Sequence, residues 1–99
     1  MPNTGAASSS EYRIIETDEA RKALARLGPQ RFLRGKLDAF VYPQLRRCPH
    51  FGPNIRRLRD WEPPMWRYRI GSYRVFYTID DDAGIVAIVT IEARKDAYR

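Results

Sequence analysis

The apolar positions of this chain follow two periods. Between Met65 and Ile79 they alternate strictly, with Trp66, Tyr68 and Ile70 before Gly71-Ser72 and Tyr73, Val75, Tyr77 and Ile79 after it. A period of two is that of a strand with one covered face. Gly at the first place of a two-residue loop suits a type II′ turn, so the stretch predicts a hairpin. In that register Ile70 lies opposite Tyr73, Arg69 opposite Arg74, Tyr68 opposite Val75, Arg67 opposite Phe76, and Trp66 opposite Tyr77. The aromatic and β-branched set then forms a core face. Arg67, Arg69 and Arg74 fall on the other side.

Upstream the period lengthens to that of a helix. Ala20, Ala23, Leu24 and Leu27 recur at i, i+3, i+4 and i+7, with Thr17 or Asp18 as N-cap and Gly28-Pro29 as the stop. A second helix is expected from Pro29 or Gln30, turning Leu33, Leu37, Phe40 and Val41 inward with Phe32 beside them. Pro43 restricts Tyr42 and is expected to end or kink it. Glu11 to Thr17 reads as a short first strand through Tyr12, Ile14 and Ile15. Gln44 to Pro64 keeps no period and reads as a long loop with a turn of helix, packed beside the arginine face through Phe51, Trp61 and its own arginines. After the hairpin, Asp80 to Gly84 forms a turn and Ile85 to Ala93 a buried apolar strand. Arg94 shares a face with Thr90 and Glu92 at its end, and residues 95–99 form a short tail.

The order strand, helix, helix and three strands predicts an α+β fold, a helical pair covering one face of a small antiparallel sheet. Residues 1–10 are small and polar and read as a disordered tail; residues 11–99 read as a single domain.

Charge adds a partner class. Lys and Arg number 18 against 12 Asp and Glu, for a net charge of +6, and the excess lies mostly in arginines from Arg46 onward. Such a balance points to nucleic acid or another anionic partner. The single Cys48 excludes an internal disulfide and fits a reducing cytosol. One Cys and one His do not supply a metal ligand set, so neither metal nor cofactor is expected. No apolar run approaches the ~18 residues of a membrane span and no signal peptide is evident, so a soluble, cytoplasmic protein is expected.

Arg69 opposite Arg74 is unfavourable, since like charges opposed on a sheet repel by about 0.2–1 kcal/mol. Carboxylates usually relieve such a face. Here Asp60, Glu62 and Asp80 to Asp82 sit at the hairpin ends, and no acid alternates onto the arginine face between Trp66 and Thr78. A concave basic surface for a polyanion is expected, with the planar guanidinium fork matching phosphate.

The segments FGPNIRRLRD, WRYRIGSYRVFYTID and IVTIEARKDAYR closely resemble the RelE/ParE toxin superfamily of type II toxin-antitoxin systems, nearest to RelE-like mRNA interferases. The resemblance runs from Tyr12 to Arg99. It implies an RNA site on the sheet face opposite the helices. By motif, Arg67, Arg69, Arg74, Arg94 and Tyr98 carry over as catalytic residues. Arg56, Arg57, Arg59, Lys95 and Arg99 are expected to add RNA contacts. Many relatives have lysines on the first hairpin strand, and many have His where this chain has Ala93. Arginine, with a pKa of about 12.5 or higher, is a poor general base.

The implied chemistry is attack by an RNA 2′-hydroxyl on its own adjacent phosphate, with the arginines aligning and neutralising the phosphoryl group. Tyr98 would stack on a base or exchange a proton. The implied partners are a cognate acidic antitoxin, mRNA and the ribosome. Relatives on the same fold that inhibit DNA gyrase, and a non-catalytic basic binding module, are the alternatives.

Overall fold

The computed structural model describes residues 11–27 and 30–93. Its elements are β1 (Arg13–Glu16), α1 (Asp18–Arg26), α2 (Gln30–Lys36), a π-helical turn (Leu37–Val41), α3 (Tyr42–Arg47), β2 (Ile55–Arg57), β3 (Trp66–Ile70), β4 (Tyr73–Asp80) and β5 (Ile85–Ala93). The expected Gly28-Pro29 stop and the tail of residues 1–10 lie outside the described residues.

The β3–β4 hairpin has the expected register at all five pairs. Gly71 takes φ 56°, the left-handed conformation that the first position of a type II′ turn requires. The sheet order is β1-β5-β4-β3-β2. Strands β3 to β5 are antiparallel, as expected, and β2 joins them antiparallel, but β1 adds to β5 in parallel, pairing Arg13 with Ile85 and Glu16 with Ile88. Nearly the whole chain connects β1 to β5, so no hairpin turn forces them antiparallel.

The stretch 44–64, expected as a loop with a turn of helix, contributes a strand as well as helix. Ile55–Arg57 forms the edge strand β2, opposite Tyr68, Arg67 and Trp66 of β3, and the Leu58 N–H closes the connection by donating to the Met65 carbonyl at 2.8 Å. Its first residues belong to α3. The helix does not end at Pro43, because the preceding turn is wider: the Tyr42 N–H donates to the Leu37 carbonyl, five residues back. Pro43 then stands in the first turn of α3, where a missing N–H costs least.

The same wide turn explains which side chains point inward. Leu33, Leu37, Val41 and Leu45 recur at intervals of four and are all at most 2 % exposed. In a continuous α-helix each step of four drifts by about 40°. A π turn absorbs part of that drift and keeps the stripe on one face. Phe40, expected inward, is rotated out and is 59 % exposed.

Against this stripe and Ala20, Ala23 and Leu24 of α1 pack Tyr68, Val75, Tyr77, Val86, Ile88 and Ile91 of the sheet. Strict alternation cannot bury both Ile88 and Ile91. A β-bulge resolves this: Tyr77 pairs with Ile88 and Phe76 with Thr90, leaving Val89 as the extra residue. Thr17 anchors the bulge. Its N–H donates to the Ile88 carbonyl at 3.1 Å, its hydroxyl lies 2.7 Å from that carbonyl and 3.1 Å from that of Val89, and it caps α1 by accepting from the Ala20 N–H.

A polar clamp ties β1 to the helices. Arg34 meets Glu16 with both guanidinium nitrogens at 2.6 and 3.1 Å, and Tyr42 donates to the same carboxylate at 2.5 Å. These bonds hold the Glu16 carboxyl below its usual value, while burial and the neighbouring carboxylate push the Tyr42 hydroxyl far up. Among the described residues, no helix is long and apolar enough to cross a membrane.

Candidate nucleic-acid interface

The helices cover one face of the sheet, and the arginines project from the other. Two cross-strand rows build this open face. One row runs Arg56, Arg67, Phe76, Thr90 across β2 to β5; the next runs Arg69, Arg74, Glu92 across β3 to β5. Side chains paired across strands share a face, so Arg56, Arg67, Arg69 and Arg74 converge.

The effect of this crowding registers on Arg67, which is half-buried. Burial, and then the charges of Arg69, Arg56 and Arg74, pull its pKa below the usual arginine value. The Nε atoms of Arg67 and Arg74 are buried and have no hydrogen-bond partner among the described residues. A buried donor without an acceptor costs free energy. An anionic ligand supplying oxygen acceptors relieves both the unmet donors and the repulsion.

One acid from outside the hairpin also stands on this face. Glu92 lies opposite Arg74 with its Oε1 3.4 Å from Nη2. It comes from β5 rather than from the hairpin, which is why alternation within the hairpin did not find it. At 54 % side-chain exposure it is a weak competitor for an arginine that can bind phosphate.

The other expected site residues distribute differently. Arg57 pairs with Trp66 and so belongs to the opposite side of the sheet, exposed at its edge. Arg59 is exposed on the connection between β2 and β3. Arg94, Lys95, Tyr98 and Arg99 lie outside the described residues. The open face also holds Thr90, as expected from its place beside Arg94, and Phe76, whose place there sequence reading missed. Continuing the alternation from Arg74 to Phe76 was the available signal.

Beyond Thr78 the open face ends in a cavity of about 700 Å³ bounded by Pro63, Thr78, Ile85, Ala87 and Asp80 to Asp82. Two of its acids serve the fold: Asp80 accepts from the Ala83 N–H at 3.0 Å, and Asp81 accepts from Tyr12 at 2.6 Å. His50 turns to Asp81, with Nε2 3.1 Å from Oδ1, and packs edge-on against Tyr12 and Trp66. Among the described residues no group of three His, Cys, Asp or Glu side chains is placed to hold a metal ion.

The chain superposes on the crystal structure of the toxin-antitoxin complex RelBE2 from Mycobacterium tuberculosis with a TM-score of 0.70, at 32 % identity over 85 % of this chain and 92 % of that one. The same fold recurs in the archaeal RelE-RelB complex from Pyrococcus horikoshii OT3, with a TM-score of 0.64 at 24 % identity, covering 85 % of this chain and 96 % of that one. It recurs too in a mutant of E. coli toxin RelE in the free state, with a TM-score of 0.62 at 21 % identity, covering 89 % and 88 %.

The family model for the ParE toxin of type II toxin-antitoxin system, parDE, matches residues 14–98. Toxin RelG of Mycobacterium tuberculosis (strain ATCC 25618 / H37Rv) is 34 % identical over 89 residues, which is 89 % of this chain and 97 % of that protein. The chain belongs to the RelE/ParE superfamily of type II toxins.

Proposed function

We propose that this toxin is a cytoplasmic, metal-independent endoribonuclease that cuts mRNA on the ribosome. The observation that carries the proposal is the cluster of Arg56, Arg67, Arg69 and Arg74 on the open face, with buried Nε donors on Arg67 and Arg74 that have no partner among the described residues. The RNA 2′-oxygen attacks the adjacent phosphorus as its proton leaves, and the bond to the 5′-oxygen breaks as that oxygen gains a proton. A 2′,3′-cyclic phosphate and a free 5′-hydroxyl result. The substrate supplies the nucleophile, so the protein's task is alignment and stabilisation of the charge that builds on the phosphoryl oxygens. Arg67, Arg69, Arg74 and Arg94 take this role, Tyr98 stacks on a base, and Arg56, Arg59, Lys95 and Arg99 steer the strand, while Arg57, on the other side of the sheet, drops out of the expected set.

Residues 11–99 act as one toxin domain in this proposal, preceded by a tail of residues 1–10. The cognate antitoxin is an acidic segment that folds over the basic groove and the helices. The arginines themselves offer no general base at neutral pH, and Glu92, the carboxylate on this face, is held against Arg74. Efficient cutting therefore needs a partner that bends the message into line, and the ribosome is that partner.

Single-turnover cleavage by programmed ribosomes tests the scheme. Cyclic-phosphate products formed far faster on ribosomes than on naked RNA are expected; rapid cutting of naked RNA, or 3′-hydroxyl and 5′-phosphate ends, would overturn it. The match to the ParE family model favours a second reading, with DNA gyrase as the target. Expression that arrests DNA synthesis before protein synthesis would establish that reading instead.

A further inference from the structure

Phe76 stands in the middle of the arginine face, not in the core. Its strand neighbours Val75 and Tyr77 are fully buried on the helix side, so Phe76 between them projects from the open side, where it is partly exposed. It lies directly across from Arg67 on one strand and Thr90 on the other, and Arg74 shares its face two residues away. The core on the opposite side is closed without it. A solvated basic face has no use for an aromatic ring at its centre.

Aromatic side chains set among cations are how proteins hold single-stranded nucleic acid, the charges tracking the backbone and the rings taking the bases. The Arg69–Arg74 row lies two residues from the Arg67–Phe76 row, roughly 7 Å along the strands. A phosphate held at the first row brings the adjoining base within reach of the second. We propose that Phe76 is a stacking platform for one nucleobase of the bound RNA, flanked by the phosphate-binding arginines. The inference rests on the RNA reading above and adds a positioning residue to it. Stacking tolerates every base, and the larger overlap with purines gives a modest purine preference.

A non-cleavable 2′-O-methyl oligoribonucleotide at low salt is the probe, intact or with an abasic site stepped along its length. On the intact strand Phe76→Leu should weaken binding about tenfold, within the range for loss of one base–aromatic stack. Phe76→Tyr should bind as the parent does. At one abasic position the parent protein and Phe76→Leu should bind equally. Phe76→Trp should add a fluorescence that the intact strand quenches and that abasic strand does not. Equal loss by Phe76→Leu on both strands, no loss on either, or an unquenched Phe76→Trp would overturn the platform.

The RNA reading has its own control in Arg67→Ala. Binding abolished by Arg67→Ala but untouched by Phe76→Leu removes the platform and leaves the reading standing. A parent protein that does not bind the strand removes both. Binding of a short antitoxin peptide, but not of RNA, that depends on Phe76 would assign the ring to a protein contact and overturn the inference.

Discussion

Tyr12 donates its hydroxyl to Asp81 at 2.6 Å, joining residues 69 positions apart. With His50 on the same carboxylate, the contact closes the end of the sheet where β1 begins and β4 turns into β5. The bond leaves a signature on both partners. It is the first cause, ahead of burial and the charge of Asp81, that raises the Tyr12 pKa to about 12, and it holds Asp81 below its ordinary value.

The first prediction concerns that bond. A raised Tyr12 pKa contributes stability that is full below its ordinary value of 10 and is lost as pH rises towards about 12. A lowered Asp81 pKa contributes stability above its ordinary value of 3.8 that is lost as pH falls below it. Tyr12→Phe should cost about 1 kcal/mol at neutral pH and flatten the alkaline edge of the stability profile. Denaturant unfolding across pH checks this; an alkaline edge unchanged in Tyr12→Phe would refute it.

Arg69 should separate activity from stability. It faces Arg74 across the hairpin and is exposed, so Arg69→Ala removes a repulsion and should leave the melting temperature unchanged or slightly raised while abolishing toxicity. Arg74→Ala is the less clean variant, because Arg74 also meets Glu92. A marked loss of folding in Arg69→Ala would mean that the residue is structural.

Glu16 should set the acid limit of the fold. Arg34 first, and Tyr42 after it, hold the carboxyl down against the opposing effect of burial, so its stabilising contribution is present above its ordinary value of 4.5 and fades as pH falls through the lowered one. Glu16→Gln keeps the shape and removes the charge, and should cost on the order of 1–3 kcal/mol at pH 7 with a flatter acid limb. Thermal unfolding at pH 7 and pH 3 measures both; equal losses at the two pH values would refute the assignment.

Chelation should leave RNA cleavage unchanged, since the proposed chemistry uses charge from fixed arginines in place of a metal ion. Cleavage lost in EDTA and restored by a divalent cation would contradict this.

The hairpin was legible from sequence because alternation and a Gly-initiated turn act over neighbouring residues. Its arginine face followed from the same period. Two features were not legible for one reason: they are set by distant partners. The strand of Ile55 to Arg57 has only three residues and exists because β3 offers it an edge, and Glu92 reaches Arg74 only through β4–β5 pairing. The persistence of the helix past Pro43 was hidden differently. Proline rules assume α-helical spacing, and the π turn at Leu37–Val41 changes that spacing just before Pro43.

The parallel pairing of β1 with β5 has a consequence in time. Arg13 finds its strand partner only in Ile85, and β5 stands between β1 and β4 in the sheet. During synthesis the chain can form helices and the hairpin early, but it cannot close the sheet until β5 has left the exit tunnel. Contacts of such long sequence separation fold slowly, because loop closure must precede them. A nascent or prematurely terminated chain that lacks β5 therefore has no complete core, and β1 stays unpaired until β5 is made.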